Sequence, residues 1–118
     1  MGYFPGNIIG FGGKEARNTL KDWSFNGLTG QYKPVNTDFN YENALKNTKI
    51  NLLAISLETD NFAPKKAVEN LYKKFNSSSN IQHIHILKKE AKLSHFNWVK
   101  KREPVLSKIK DWLLTVDY

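Results

Sequence analysis

The run Ile50-Asn51-Leu52-Leu53-Ala54-Ile55-Ser56-Leu57 constrains this chain more than any other stretch. It is almost entirely apolar and does not alternate between oily and polar positions, the pattern of a strand covered on both faces in a parallel sheet. The run breaks into Glu58-Thr59-Asp60-Asn61, and Pro64 then opens a segment with Ala67, Val68, Leu71, Tyr72 and Phe75 at helical spacing. The pattern predicts a central strand over 50–57 and a helix over 64–75, with Asp60 on the turn between them. In open α/β sheets, ligands bind in the crevice beyond the carboxyl ends of the strands, so an acid there is a candidate for chemistry. The competing reading makes Asp60 a turn residue or helix cap, a setting that favours its short acceptor side chain.

A second strand is predicted over 81–87, followed by the loop Leu93-Ser94-His95-Phe96-Asn97-Trp98 and an amphipathic helix over 104–114 that buries Val105, Leu106, Ile109, Trp112 and Leu113. The order is therefore strand, acid, helix, strand, histidine, helix. A histidine acts as a general base through one ring nitrogen when a carboxylate holds the other, and neighbouring parallel strands can bring two such loops together. On the second strand His83 and His85 share a face. Two histidines at that spacing can ligate a metal, but no acid or cysteine partner is evident nearby, so they read as surface or edge-strand residues and no metal site is assigned.

These motifs resemble the carboxyl-terminal part of α/β-hydrolases, in particular predicted bacterial hydrolases related to the serine aminopeptidase-like lipases and esterases. In that family an acid, three residues and a proline follow the seventh strand, matched by Asp60 to Pro64. A short loop of Gly or Ser, His and Phe follows the last strand, matched by Ser94-His95-Phe96. The glycine-rich opening, Gly2-Tyr3-Phe4-Pro5-Gly6 and Gly10-Phe11-Gly12-Gly13, is similar to the segment after the sixth strand. The resemblance implies an α/β fold: the carboxyl-terminal portion of a hydrolase, with parallel strands joined by a crossover helix and preceded by a cap-like segment. It also implies Asp60 and His95 as catalytic acid and base, an ester or amide substrate, and no cofactor. Residues 1–48 would be the cap-like segment, and 49–118 the β-α-β-α unit.

At 118 residues the chain is too short for a complete hydrolase of this type, and two strands make a marginal sheet unless something covers them. The expectation is a fragment that associates with a missing amino-terminal portion or with itself. With no cysteine there is no disulfide, thiolate metal site or cysteine nucleophile, and a reducing compartment fits. No apolar stretch approaches a membrane span and no leader pattern opens the chain, so a soluble, cytoplasmic protein without a membrane partner is expected. Net charge is +7 overall and +9 between Pro64 and Lys110, which leaves −2 for the rest. Lys65-Lys66, Lys73-Lys74, Lys88-Lys89 and Lys100-Lys101-Arg102 invite a nucleic-acid reading, but a solvated lysine face opposite Val68, Leu71 and Phe75 accounts for the helical ones, and that reading is preferred.

Glycine turn signals make 1–13 a loop, and no Walker lysine–hydroxyl pair follows, since Gly13-Lys14 is succeeded by Glu15. A short helix is expected from Lys14 to about Trp23, with Trp23 as its anchor, and irregular structure from Ser24 to Asp38. Phe25, Tyr32, Phe39 and Tyr41 would line an apolar subsite or simply pack that segment. A brief helix is expected over 41–47.

One component is missing. A serine hydrolase places its nucleophile on a strained elbow within G-x-S-x-G, and this sequence has no such motif. Ser94 adjoins His95, and neighbouring side chains rarely aim at one another. The family's chain order is Ser, acid, His, so the resemblance places the nucleophile upstream or in a separate chain. Two other classes stay open: a basic nucleic-acid-binding domain, and an interaction module without catalysis.

Overall fold

The computed structural model describes residues 3–5, 14–35 and 37–116, with side chains from Leu20 onward. It divides into two compact units, Met1–Leu45 and Lys46–Tyr118.

In the first unit, β1 (Tyr3–Pro5) pairs antiparallel with β2 (Lys14–Ala16), Tyr3 lying opposite Ala16. The opening is therefore not all loop. Tyr3 and Phe4 are β-favouring aromatic residues, and three-residue strands are too short to announce themselves by periodicity. The glycine signals at Gly6 and over 10–13 lie outside the described residues. Helix α1 begins at Arg17, not Lys14, and runs to Thr29, past Trp23 and into the start of the stretch expected to be irregular, whose described residues after Gly30 carry no helix or strand, as expected. The cost of Gly27 inside a helix is only about 1 kcal/mol, and nothing blocks the ladder before Gly30. There the backbone turns left-handed (φ 71°), and the Gly30 N–H donates to the Asn26 carbonyl at 2.7 Å, closing the helix as a glycine past the C-cap does. Trp23, expected to be an anchor, is 60 % exposed.

Helix α2 (Tyr41–Asn47) starts where expected, with the Asn40 side chain accepting from the Asn43 N–H at 2.9 Å in the manner of an N-cap. Tyr41 packs edge-on to both Phe39 and Tyr32, at centroid separations of 4.7 and 5.2 Å, so these rings pack on one another. Phe25 instead lines a cavity of about 510 Å³ together with Pro34 and Val35.

The second unit is a β-α-β-α arrangement: β3 (Asn51–Leu57), α3 (Lys65–Tyr72), β4 (Asn80–Ile86) and α4 (Glu103–Leu113). The strands pair in parallel from Asn51 opposite Asn80 to Leu57 opposite Ile86. Because side chains alternate, this register places Ser56, His83 and His85 on one face and Ile55, Leu57, Ile84 and Ile86 on the other. Helix α4 covers the second face: Val105 joins Leu57, Ile86 and Leu93 as the buried core, with Ile55, Ile84, Ala91 and Ile109 packed around it. Tyr72 of α3 stacks edge-on against His83 on the first face. The unit is thus a mixed α/β layer with a helix against each side of a two-stranded parallel sheet.

Burial is thinner than the sequence pattern implies. On β3 only Ser56 and Leu57 are buried, Leu52 to Ile55 are half-covered, and Ile50 lies before the strand, exposed. Leu71 on α3 and Leu113 on α4, both placed on buried faces by their spacing, are exposed at 59 % and 42 %. An apolar residue at helical spacing is buried only if something stands opposite it, and among the described residues β3 has no strand partner but β4.

Candidate active site

The loops at the carboxyl ends of β3 and β4 form the site. After Leu57 the chain turns back, the Asp60 N–H donating to the Leu57 carbonyl at 3.1 Å. One carboxylate oxygen of Asp60, Oδ1, then accepts from the N–H groups of Phe62 and Ala63, both at 2.9 Å. This is the turn-capping behaviour that the competing sequence reading expected, and it is compatible with a second role because the other oxygen is left over. Oδ2 lies 3.0 Å from Nδ1 of His95. The structure thus brings together the two residues that the sequence singles out, 35 positions apart.

Asp60 is 8 % exposed, whereas the His95 side chain is 42 % exposed. Burial alone would push the Asp60 carboxyl up. The Ala63 and Phe62 N–H groups and the His95 ring outweigh it by their hydrogen bonds, with the charge of His95 adding to them, so the net shift is below the ordinary 3.8 and Asp60 stays ionised near neutrality. With Nδ1 facing Asp60, Nε2 lies on the far side of the ring.

Two further contacts, neither foreseen in the sequence, hold the loops in place. The Thr59 hydroxyl donates to the Leu93 carbonyl, tying the acid's turn to the histidine's loop. Ser94 and Asn97 cap each other: the Ser94 N–H donates to Asn97 Oδ1 at 2.6 Å, and the Asn97 N–H to Ser94 Oγ at 3.3 Å. Ser94 is therefore a loop brace, not a nucleophile. Phe62 and Phe96 flank the imidazole at 5.4 and 4.9 Å between centroids and are themselves largely exposed, giving His95 an apolar rim.

Asp60 and His95 line a cavity of about 590 Å³ whose other walls, Asn51 apart, are apolar, among them Leu53, Ile55, Trp98, Ile109 and Trp112. A concave apolar surface with a few convergent polar groups is the usual form of a small-molecule site.

Of the two readings the sequence offered for His83 and His85, surface or edge-strand residues, the second describes them: β4 pairs with β3 alone among the described residues, and neither histidine is fully exposed. Both are half-buried and point at one atom, the Ser56 hydroxyl, 2.7 Å from His83 Nε2 and 2.7 Å from His85 Nδ1. A serine bonded to an imidazole invites comparison with a nucleophile, but Ser56 is 2 % exposed and lies on the sheet face away from Leu57, so no substrate can reach it. Among the described residues no cluster of three His, Cys, Asp or Glu side chains is placed to hold a metal ion. Comparison with protein-family models, with curated proteins and with solved structures finds no match.

Proposed function

We propose that the chain supplies the acid and base of a serine-type hydrolase acting on a small ester or amide, with the nucleophile and oxyanion donors provided by a preceding portion or a separate chain. The observation that carries this reading is the 3.0 Å contact between a buried, turn-anchored Asp60 and an accessible His95. Asp60 keeps Nδ1 protonated and orients the ring; Nε2 takes the proton of the attacking serine and returns it to the leaving group, and the carboxylate stabilises the imidazolium between those steps. The apolar cavity beside His95 would hold the acyl or leaving group.

Among the described residues β3 is paired on one edge alone, and this and the thin cover of its apolar residues support a partner that continues the sheet. Among the described residues no helix is long and apolar enough to cross a membrane, and the absence of cysteine suits the cytoplasm as the working compartment. The test is turnover of a short-chain p-nitrophenyl ester. Alone, the chain should not exceed buffer, because its sequence holds no G-x-S-x-G elbow to set a nucleophile beside oxyanion donors. Joined to an upstream portion bearing a G-x-S-x-G elbow it should turn over the ester. Hydrolysis by the chain alone, or none by the joined protein, contradicts the proposal.

A further inference from the structure

The polar cluster on the α3 face of the sheet has its own chemistry. Ser56 Oγ carries one hydrogen and meets two imidazoles, through Nε2 of His83 and Nδ1 of His85, both at 2.7 Å. A hydroxyl donates only once, so it donates to one ring and accepts from the other. If it donates to His85 Nδ1, then His85 bears its hydrogen on Nε2, and His83 must present Nε2–H. If it donates to His83 Nε2, then His83 bears its hydrogen on Nδ1, and His85 must present Nδ1–H. In either direction the two neutral rings share the same tautomer.

A first added proton fits without breaking a bond. It settles on His83 Nδ1, where the Tyr72 hydroxyl at 3.3 Å turns to accept, or on His85 Nε2 when the chain runs the other way. The two charged forms interconvert through the serine: His83 Nε2 gives its proton to Ser56 Oγ as Ser56 gives its own to His85 Nδ1, and the charge has moved with no net change in composition. A second proton has no such place. Both rings would then aim N–H at one oxygen, whose own hydrogen would lose its acceptor, with two like charges on either side of a buried hydroxyl.

We propose that Ser56, His83 and His85 form a single-proton site in which the serine relays one proton between two imidazoles and excludes a second, and that Tyr72 couples this site to the docking of α3. Glu69 and Lys65 of α3 act electrostatically on His83 in opposite senses, Glu69 favouring its charge and Lys65 opposing it; on its own strand His85 also opposes it, and β3 contributes Ser56. Burial is the largest influence on His83, and with Lys65 and His85 it outweighs Glu69 to hold the imidazole below its ordinary 6.5.

The experiment is a pH titration of the full chain followed by long-range ¹⁵N–¹H correlation of the imidazole rings, which reads tautomer and charge at each histidine. At mildly alkaline pH, His83 and His85 should show the same neutral tautomer. On acidification they should take up protons in two steps separated by more than about one pH unit, with α3 amide resonances moving at the first, when His83 Nδ1 gains its hydrogen and Tyr72 turns to accept. In Ser56→Ala the two tautomers should become independent and the steps should merge; Tyr72→Phe should keep the two steps but uncouple the α3 amides. Opposite tautomers in the unmodified chain would overturn the proposal, as would unseparated steps there, and neither observation depends on a variant folding.

Discussion

At the residue scale, Asp60 does two things with two oxygens. Oδ1 is spent on the turn and Oδ2 on His95, so the carboxylate is fixed before any substrate arrives. This makes its charge a stability contribution with a definite sign. Because its folded pKa lies below 3.8, the unfolded chain binds the proton first. The contribution is full above 3.8 and is lost as pH falls through that value to the lower folded one. Asp60→Asn retains an acceptor for Phe62 and Ala63 but cannot titrate. Its urea midpoint, followed against pH, should fall less steeply than that of the unmodified chain in this acid window. His83 adds a loss of the same sign at higher pH, beginning near 6.5, which the same variant should leave in place.

At the scale of elements, the two site loops are braced by Thr59 on Leu93 and by the mutual caps of Ser94 and Asn97. Thr59→Val and Asn97→Ala should each cost about 1 kcal/mol in chemical denaturation, the typical worth of one such bond, while the secondary structure of the unit is kept. Gly30→Ala should likewise destabilise α1 by roughly 1–2 kcal/mol, because its backbone is left-handed although nothing crowds a Cβ there. The order of elements in 46–118 was legible because each announces itself: an unbroken apolar run for β3, and prolines at the starts of α3 and α4 with apolar residues at helical spacing behind them. The site was legible for the same reason, since Asp60 and His95 follow successive strands at one end. What was not legible depends on register and coverage. Nothing in the sequence says that Ser56 stands opposite His85, although a lone hydroxyl inside an apolar strand and two histidines on one face of the next were the available signal. The exposure of Leu71 and Leu113 was hidden too, since spacing reveals a face and not what covers it. In the first unit, three-residue strands and a helix passing through Gly27 fall below what periodicity can resolve.

For the whole molecule, the bonded Asp60–His95 pair stands on a thinly covered scaffold. Among the described residues the second unit buries four hydrophobic side chains, Leu57, Ile86, Leu93 and Val105, while Leu71, Phe62 and Phe96 are more than half exposed. A core this small rarely supplies more than about 3–5 kcal/mol. The isolated chain should therefore bind a hydrophobic dye and self-associate with rising concentration; a concentration-independent monomer with a sharp cooperative transition would contradict that. The central proposal, that Asp60 and His95 act as acid and base, is tested most directly by ester turnover in the chain joined to an upstream portion bearing a G-x-S-x-G elbow. His95→Ala should lower kcat on the order of 10⁴-fold or more, Asp60→Asn somewhat less, and His83→Ala and His85→Ala little. Near-normal turnover in His95→Ala, with loss in His83→Ala, would contradict the account.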